Sequence, residues 1–261
     1  MTPRRPPAVV IAGGAVALAF FALPFAGLLQ RARWSTLWAD LTTHAALSAL
    51  RLSVECALAA TLLSVLIGTP LAWLLARAAF PGRRLVRALV LLPLVLPPVV
   101  GGVALLAAFS LRSPLGGWLH DTLGVQLTFS PAGVVMAQTF VAMPFYVITL
   151  EAALTGADRR YEDAATSLGA SPWRVFTRVS LPLVRGAVAA GAVLAFARAL
   201  GEFGATVTFA GNIAGRTQTL PLDVYLLLEN DQHAAIALSL VLVAVSVGAL
   251  VALRDRWLVR A

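Results

Sequence analysis

The segment YEDAATSLGASPWRVFTRVSLPL, Tyr161 to Leu183, lies between two strongly apolar stretches. A plain connection between membrane helices would occupy that place, yet the segment has helical order. Tyr161, Ala164, Ala165 and Leu168 fall at i, i+3, i+4 and i+7, one face of a helix. Asp158 stands where an N-cap is needed, and Gly169 follows the last periodic residue, where a left-handed C-cap suits glycine. Ser171 and Pro172 read as a second N-cap and its first helical position. Pro182 ends that second segment or opens the next apolar one. The spacing predicts helix, glycine turn, helix. Two uses are open to the apolar stripe: packing on the chain's own helices or on lipid headgroups, or fitting a groove in another protein.

The flanks make this a membrane protein. Of 261 residues, 59% are hydrophobic and 12% charged, against roughly 25% charged in an average soluble domain. Six apolar runs approach the length of about 20 residues needed to cross a bilayer as a helix. They cover Ala8–Leu29, Leu52–Ala76, Val86–Phe109, Ala132–Leu150, Gly186–Phe203 and Ala235–Leu253. The runs are apolar all round rather than alternating, which predicts helices and excludes barrel strands. The expected fold is an all-α integral membrane protein with six transmembrane helices. Residues 1–45 form a first helix and outside loop, 46–254 the main membrane domain with its loop at 156–185, and 255–261 a tail. The first run follows Arg4 and Arg5 in the manner of a signal peptide, but its core exceeds the usual length and no A-x-A site closes it, so it reads as a retained helix.

The net charge of +8 comes from arginine alone, with no lysine in the chain. With the N-terminus inside, the inner segments hold Arg4, Arg5, Arg77, Arg83, Arg84, Arg87, Arg159, Arg160, Arg174, Arg178, Arg185, Arg254, Arg256 and Arg260, while the outer loops hold only Arg31, Arg33, Arg51, Arg112 and Arg216. That asymmetry is the positive-inside pattern and puts both termini in the cytoplasm. The charge is therefore a topology signal, and no nucleic-acid partner is expected.

Absences narrow the function. Without lysine there is no phosphate-binding P-loop, so this chain is not an ATPase by that route. No Gly-x-Ser-x-Gly or His-Glu-x-x-His motif occurs. The spans contain Ser53, Ser64 and Ser239 but no histidine to activate them, which disfavours an intramembrane hydrolase. Cys56 is the single cysteine, and His44, His120 and His233 are scattered, so no metal site is expected. Six helices without a catalytic constellation point to transport.

The loop carries a resemblance. Asp163-Ala164-Ala165, three residues, Gly169, nine residues, Val179, one residue, then Leu181-Pro182 resembles the EAA loop of binding-protein-dependent ABC importers, Glu-Ala-Ala-x3-Gly-x9-Ile-x-Leu-Pro. Asp163, preceded by Glu162, stands at the Glu position and Val179 at the Ile position. The resemblance covers about Ala46 to Leu253. It implies a type I permease fold in which the loop is a coupling helix docked in a cleft of a separate ATPase subunit. Tyr161, Glu162, Asp163, Ala164, Ala165, Leu168, Gly169, Pro172, Leu181 and Pro182 would serve that coupling. It further implies that ATP and Mg are bound by the partner and that this chain holds no cofactor. The other implied partners are an external binding protein and a second copy of this chain.

GTPLAWLLAR (Gly68–Arg77), GEFGAT (Gly201–Thr206) and GNIAGRTQTLPLDVY (Gly211–Tyr225) resemble the permeases for tetrahedral oxyanions, molybdate most of all, with sulfate and tungstate as relatives. Selection in that group rests mainly with the external binding protein, so few specificity residues are expected here.

The remaining marks admit two readings each. VLLPLVLPPVVGG in the third span carries Pro93, Pro97 and Pro98 and cannot be a straight helix; this is a static kink or a bent element lining a pathway. Pro70 and Pro144 are expected to interrupt the second and fourth spans similarly. Arg198 and Glu202, one turn apart, form a structural ion pair, or Arg198 faces the pathway and attracts an anion while Glu202 holds it in place. Gly201, Gly204 and Ala205 would let a symmetry mate approach, and Thr206 follows them as a gate candidate. The outer segment Phe209–His233 is a loop with a short interfacial helix, or a gate and docking surface. A secondary transporter is the rival class; it needs midplane carboxylates, for which Glu202 is the sole firm candidate, and paired inverted repeats, which are not evident.

Overall fold

The computed structural model describes residues 7–257, with side chains described through residue 251. Arg4, Arg5 and Arg260 lie outside the described residues, as do the side chains of Arg254 and Arg256. Helix is the only regular structure among the described residues, and no strand occurs there. Four helices are long and apolar enough to cross a membrane: α1 (Ala8–Arg31), α3 (His44–Arg77), α7 (Pro131–Gly156) and α14 (Gln232–Trp257). Two further spans would each be a bent pair. A short α2 (Leu37–Leu41) joins α1 to α3, and α6 (Pro114–Leu123) precedes α7.

The third span departs from a single kinked helix. It divides into α4 (Arg83–Val95) and α5 (Pro98–Phe109), and the chain bends by 120° between them. The cause is the double proline. A residue before proline is pushed out of the helical region, so Leu96 takes ψ 140° before Pro97, and Pro97 takes ψ 132° before Pro98. Single prolines do less. Pro70 and Pro144 do not interrupt their spans: α3 and α7 run through them. One missing backbone bond is absorbed when neighbouring helices hold the segment. Pro93 likewise sits inside α4.

The core is α7 packed between α3 and α11 (Arg185–Leu200). Tyr146 is its centre, fully buried, with its hydroxyl 2.6 Å from that of Thr69. Glycines admit the ring from both sides. A Cβ at Gly68 or at Gly191 would lie 2.9 Å from a Tyr146 ring carbon. Leu75, Val147, Leu150 and Leu200 complete the packing. Helix ends follow local chemistry: Thr43 caps α3 by accepting the Ala46 N–H, and Ser130 caps α7 by accepting the Gly133 N–H. The first helix is different. None of its residues is buried and its neighbour in the chain is α14.

The outer segment is more ordered than a loop with an interfacial helix. Helix α12 (Gly204–Phe209) ends where this segment begins, and the segment returns into the protein as α13 (Leu220–Asn230). Leu220 is buried with Ala46, Ala49 and Leu238, and its N–H donates to Ser53 Oγ at 2.6 Å. Thr217 and Thr219 are buried as well.

Candidate functional site

Two regions gather the candidate residues. The first is the turn between α7 and α11. Helix α8 (Arg160–Ser167) starts one residue later than an Asp158 cap requires; Arg159 is the boundary residue, and Asp158 Oδ1 accepts the Arg160 N–H at 3.0 Å in a local turn. Its end is a Schellman motif. Gly169 has φ +82°, its N–H donates to Thr166 O at 2.9 Å, and the Ala170 N–H donates to Ala165 O at 3.0 Å. Ser171 is extended and accepts the Arg174 N–H, with Pro172 opening α9 (Pro172–Val175). The chain continues as a π-helical segment, Phe176–Ser180, and then α10 (Leu181–Leu183), which contains Pro182. The helix leaves regular geometry at Val184, and the direction turns by 74° into α11.

The apolar stripe does not pack on the chain's own helices. Leu168 is 89% exposed and Trp173 72% exposed, with Tyr161, Ala164, Gly169 and Pro172 also exposed. Asp163 is exposed beside them, Ala165 and Leu181 are half-buried, and Pro182 is exposed. Glu162 turns the other way. Its carboxylate pairs with Arg77 of α3, Nε to Oε2 at 3.0 Å, and accepts the Ser180 hydroxyl at 2.8 Å. These side chains are only 6% (Arg77) and 14% (Glu162) exposed. Partners 85 and 18 positions away leave no mark on local spacing, so sequence reasoning could not find Arg77 or Ser180.

The second region surrounds the end of α11, which at sixteen residues is about 24 Å long. The helix stops at Leu200, so Glu202 lies in the connection to α12. Arg198 Nη2 sits 2.7 Å from Glu202 Oε2, within one chain and one turn. Glu202 Oε1 accepts the Ala205 N–H at 2.8 Å, anchoring the start of α12. Glu202 is 1% exposed and the Arg198 side chain 27%, so the arginine remains partly open while its partner is enclosed.

Gly204 and Ala205 are not free for a symmetry mate. A Cβ at Gly204 would lie 2.7 Å from Pro98 Cβ, and one at Gly102 would lie 2.6 Å from Thr208 Cβ. The small residues let α12 press against α5 of the same chain, because a glycine at a crossing removes the atoms that would hold the backbones apart. Pro98 therefore meets Gly204, although both Pro97 and Pro98 remain largely exposed at the joint. Thr206 is fully buried, and its hydroxyl has no hydrogen-bond partner among the described residues. The same holds for the amide of Gln138 in α7, which the sequence reading passed over. Asp223 of α13 was also missed; burial pushes its carboxyl above the usual range. No group of three metal-binding side chains occurs among the described residues.

Residues 68–261 match the family described as the binding-protein-dependent transport system inner membrane component. The chain belongs to this family. It is 51% identical over 229 residues to the molybdenum transport system permease protein ModB of Mycobacterium tuberculosis, covering 88% of this chain and 86% of that one. The Escherichia coli K12 protein of the same name is 41% identical over 212 residues, covering 81% and 93%. The Escherichia coli sulfate transport system permease protein CysT is 36% identical over 228 residues, covering 86% and 82%.

Solved structures agree on the fold of this family member. A bacterial alginate ABC transporter, solved with an alginate pentasaccharide-bound periplasmic protein, has a chain that superposes with a TM-score of 0.73 at 17% identity, covering 95% of this chain and 91% of that one. A chain of the inward-facing MetNI methionine ABC transporter gives 0.60 at 18% identity, covering 82% and 97%. The family membership and these folds make the chain a multi-pass transport component of the ABC permease type.

Proposed function

We propose that the chain is the permease subunit of an ATP-driven importer in the bacterial cytoplasmic membrane, with both termini cytoplasmic and with molybdate as its cargo. The observation that carries the subunit role is the exposed apolar turn. Tyr161, Leu168 and Trp173 stand clear of the chain's own helices, on a frame stiffened by a Schellman motif and a serine cap. An exposed apolar cluster of that kind suits a groove in a partner. That partner is a separate ATPase, which binds ATP and Mg in place of this lysine-free chain. Two copies of the chain enclose the pathway, and an external binding protein delivers the anion.

Within the pathway, the partly open Arg198 side chain attracts the passing anion while Glu202 fixes its position. A conduit needs contacts weak enough to release what it takes, which fits one partly neutralised guanidinium better than a closed cage. Pro97, Pro98 and Thr206 lie at the joint where α5 meets α12, a place for a gate. The choice of molybdate follows the names of the relatives. Sulfate is the second reading, favoured by the identity to a sulfate permease, with tungstate as another oxyanion of the same shape.

The test is labelled molybdate uptake by cells with and without the gene, with excess tungstate or sulfate as competitor. Uptake that needs the gene and yields to tungstate more than to sulfate supports the reading. Unchanged molybdate uptake with lost sulfate uptake moves the cargo to sulfate. Uptake that persists without an ATPase subunit supports a secondary transporter instead.

A further inference from the structure

We infer that Glu162 and Arg77 form a strap that carries movement of the coupling turn into α3, so that the turn drives three helices rather than the two to which the chain joins it. This rests on the proposal that the turn docks on an ATPase. Covalently, the turn continues α7 on one side and α11 on the other. Its polar ties lead elsewhere. Glu162 receives both Nε and Nη2 of Arg77, in the last turn of α3. Arg77 Nη2 also donates to Ala157 O at 3.4 Å, and Arg159 Nη2 donates to Ala76 O at 3.3 Å. On the far arm, the Ser180 hydroxyl donates to the same Glu162 carboxylate. The Phe176 ring meets Trp73 edge-on, with centroids 5.8 Å apart. Both arms of the turn are thus fastened to the segment Trp73–Arg77.

The chemistry suits a strap rather than a docking contact. Glu162 and Arg77 face each other inside the protein, away from the exposed stripe. A guanidinium pairing with a carboxylate through two nitrogens is strong and directional, and burial shields it from salt. The π-helical segment and the break at Val184 interrupt regular helix on the side toward α11, and such bulges are frequent at functional sites; these supply the compliant side. A push on the turn meets a soft joint toward α11 and a stiff link toward α3. Helix α3 also packs along α7 and α11 around Tyr146, so its last turn is well placed to lever the core.

The experiment compares the complex purified with its ATPase from cells carrying wild type, Glu162→Gln, or Arg77→Met with Glu162→Gln. Three quantities are read: ATPase co-purified, ATP hydrolysed, and labelled molybdate taken up after reconstitution. Breaking one side of a buried pair leaves a lone charge, whereas removing both charges does not; the double variant keeps an acceptor for Ser180. The expected result is that the double variant still co-purifies its ATPase but moves about tenfold less molybdate per ATP. Wild-type uptake per ATP in the double variant overturns the strap, because the pair then only stabilises the fold. Hydrolysis and uptake lost in step overturn it too. The docking proposal fails in a different way: Leu168→Arg would leave ATPase co-purification intact.

Discussion

The ring of Tyr146 in α7 is enclosed by Gly191 of α11, where a single methyl would come within 2.9 Å of it, and by Gly68 of α3 at the same distance. Three helices therefore meet around one side chain, and the meeting depends on two absent side chains.

Filling either gap forces the ring or the backbone to shift. Gly191→Val and Gly68→Val are each expected to cost about 1–3 kcal/mol through overpacking. Tyr146→Phe should cost less, about 1 kcal/mol, because Thr69 keeps its bond to Val65 O at 2.6 Å. Thermal unfolding of the detergent-purified protein should rank the glycine variants below the phenylalanine variant; the reverse order would remove Tyr146 from the centre of the core.

Gly169 tests the coupling turn by backbone alone. Nothing lies within 4 Å of a Cβ built there, so Gly169→Ala meets no clash and bears only the strain of φ +82°, about 1–2 kcal/mol. A partial loss of molybdate uptake is expected. Gly169→Pro cannot adopt that φ and removes the N–H given to Thr166 O, and Ala165→Arg spoils the docking surface. Both should abolish uptake and ATPase association while the protein remains in the membrane. Normal association in either would mean that the turn docks on nothing.

How far the sequence foretold this site depends on range. The glycine turn and the serine cap were legible because each rests on residues within five positions of one another. The break at Leu96–Pro97–Pro98 was legible as a bend but not in size, since two successive pre-proline restrictions compound in a way that lone prolines do not. Pro70 and Pro144 misled for the complementary reason: packing by neighbours, invisible in the local string, holds those helices intact. Gly204 and Ala205 were legible as a close approach but not as to what approaches. That α5 presses there, and that Arg77 reaches Glu162, are facts of tertiary arrangement.

Arg198 separates a structural ion pair from a pathway cation. Arg198→Ala leaves the Glu202 carboxylate buried with one backbone donor, a loss on the order of 3–5 kcal/mol for a broken buried pair. Reduced thermal stability and reduced uptake are both expected. Adding Glu202→Gln should recover the stability. If uptake stays low in that stable double variant, Arg198 acts on the anion. If uptake returns, the pair only holds the end of α11.

The seam between α5 and α12 limits how the protein can change over generations. Its two helices are each short, meet glycine to backbone, and are joined to their neighbours by non-helical links at Leu96–Pro97 and Gly201–Phe203. Inside the seam, almost any enlargement wedges the pair apart. At the Leu96–Pro97 link an added or deleted residue changes where the pair is carried, whereas the Gly201–Phe203 link is pinned by the bonds of Glu202 to Arg198 and to the Ala205 N–H. Variation among descendants of this sequence should therefore avoid the seam's small residues and the Glu202 link, and collect in length at the Leu96–Pro97 joint.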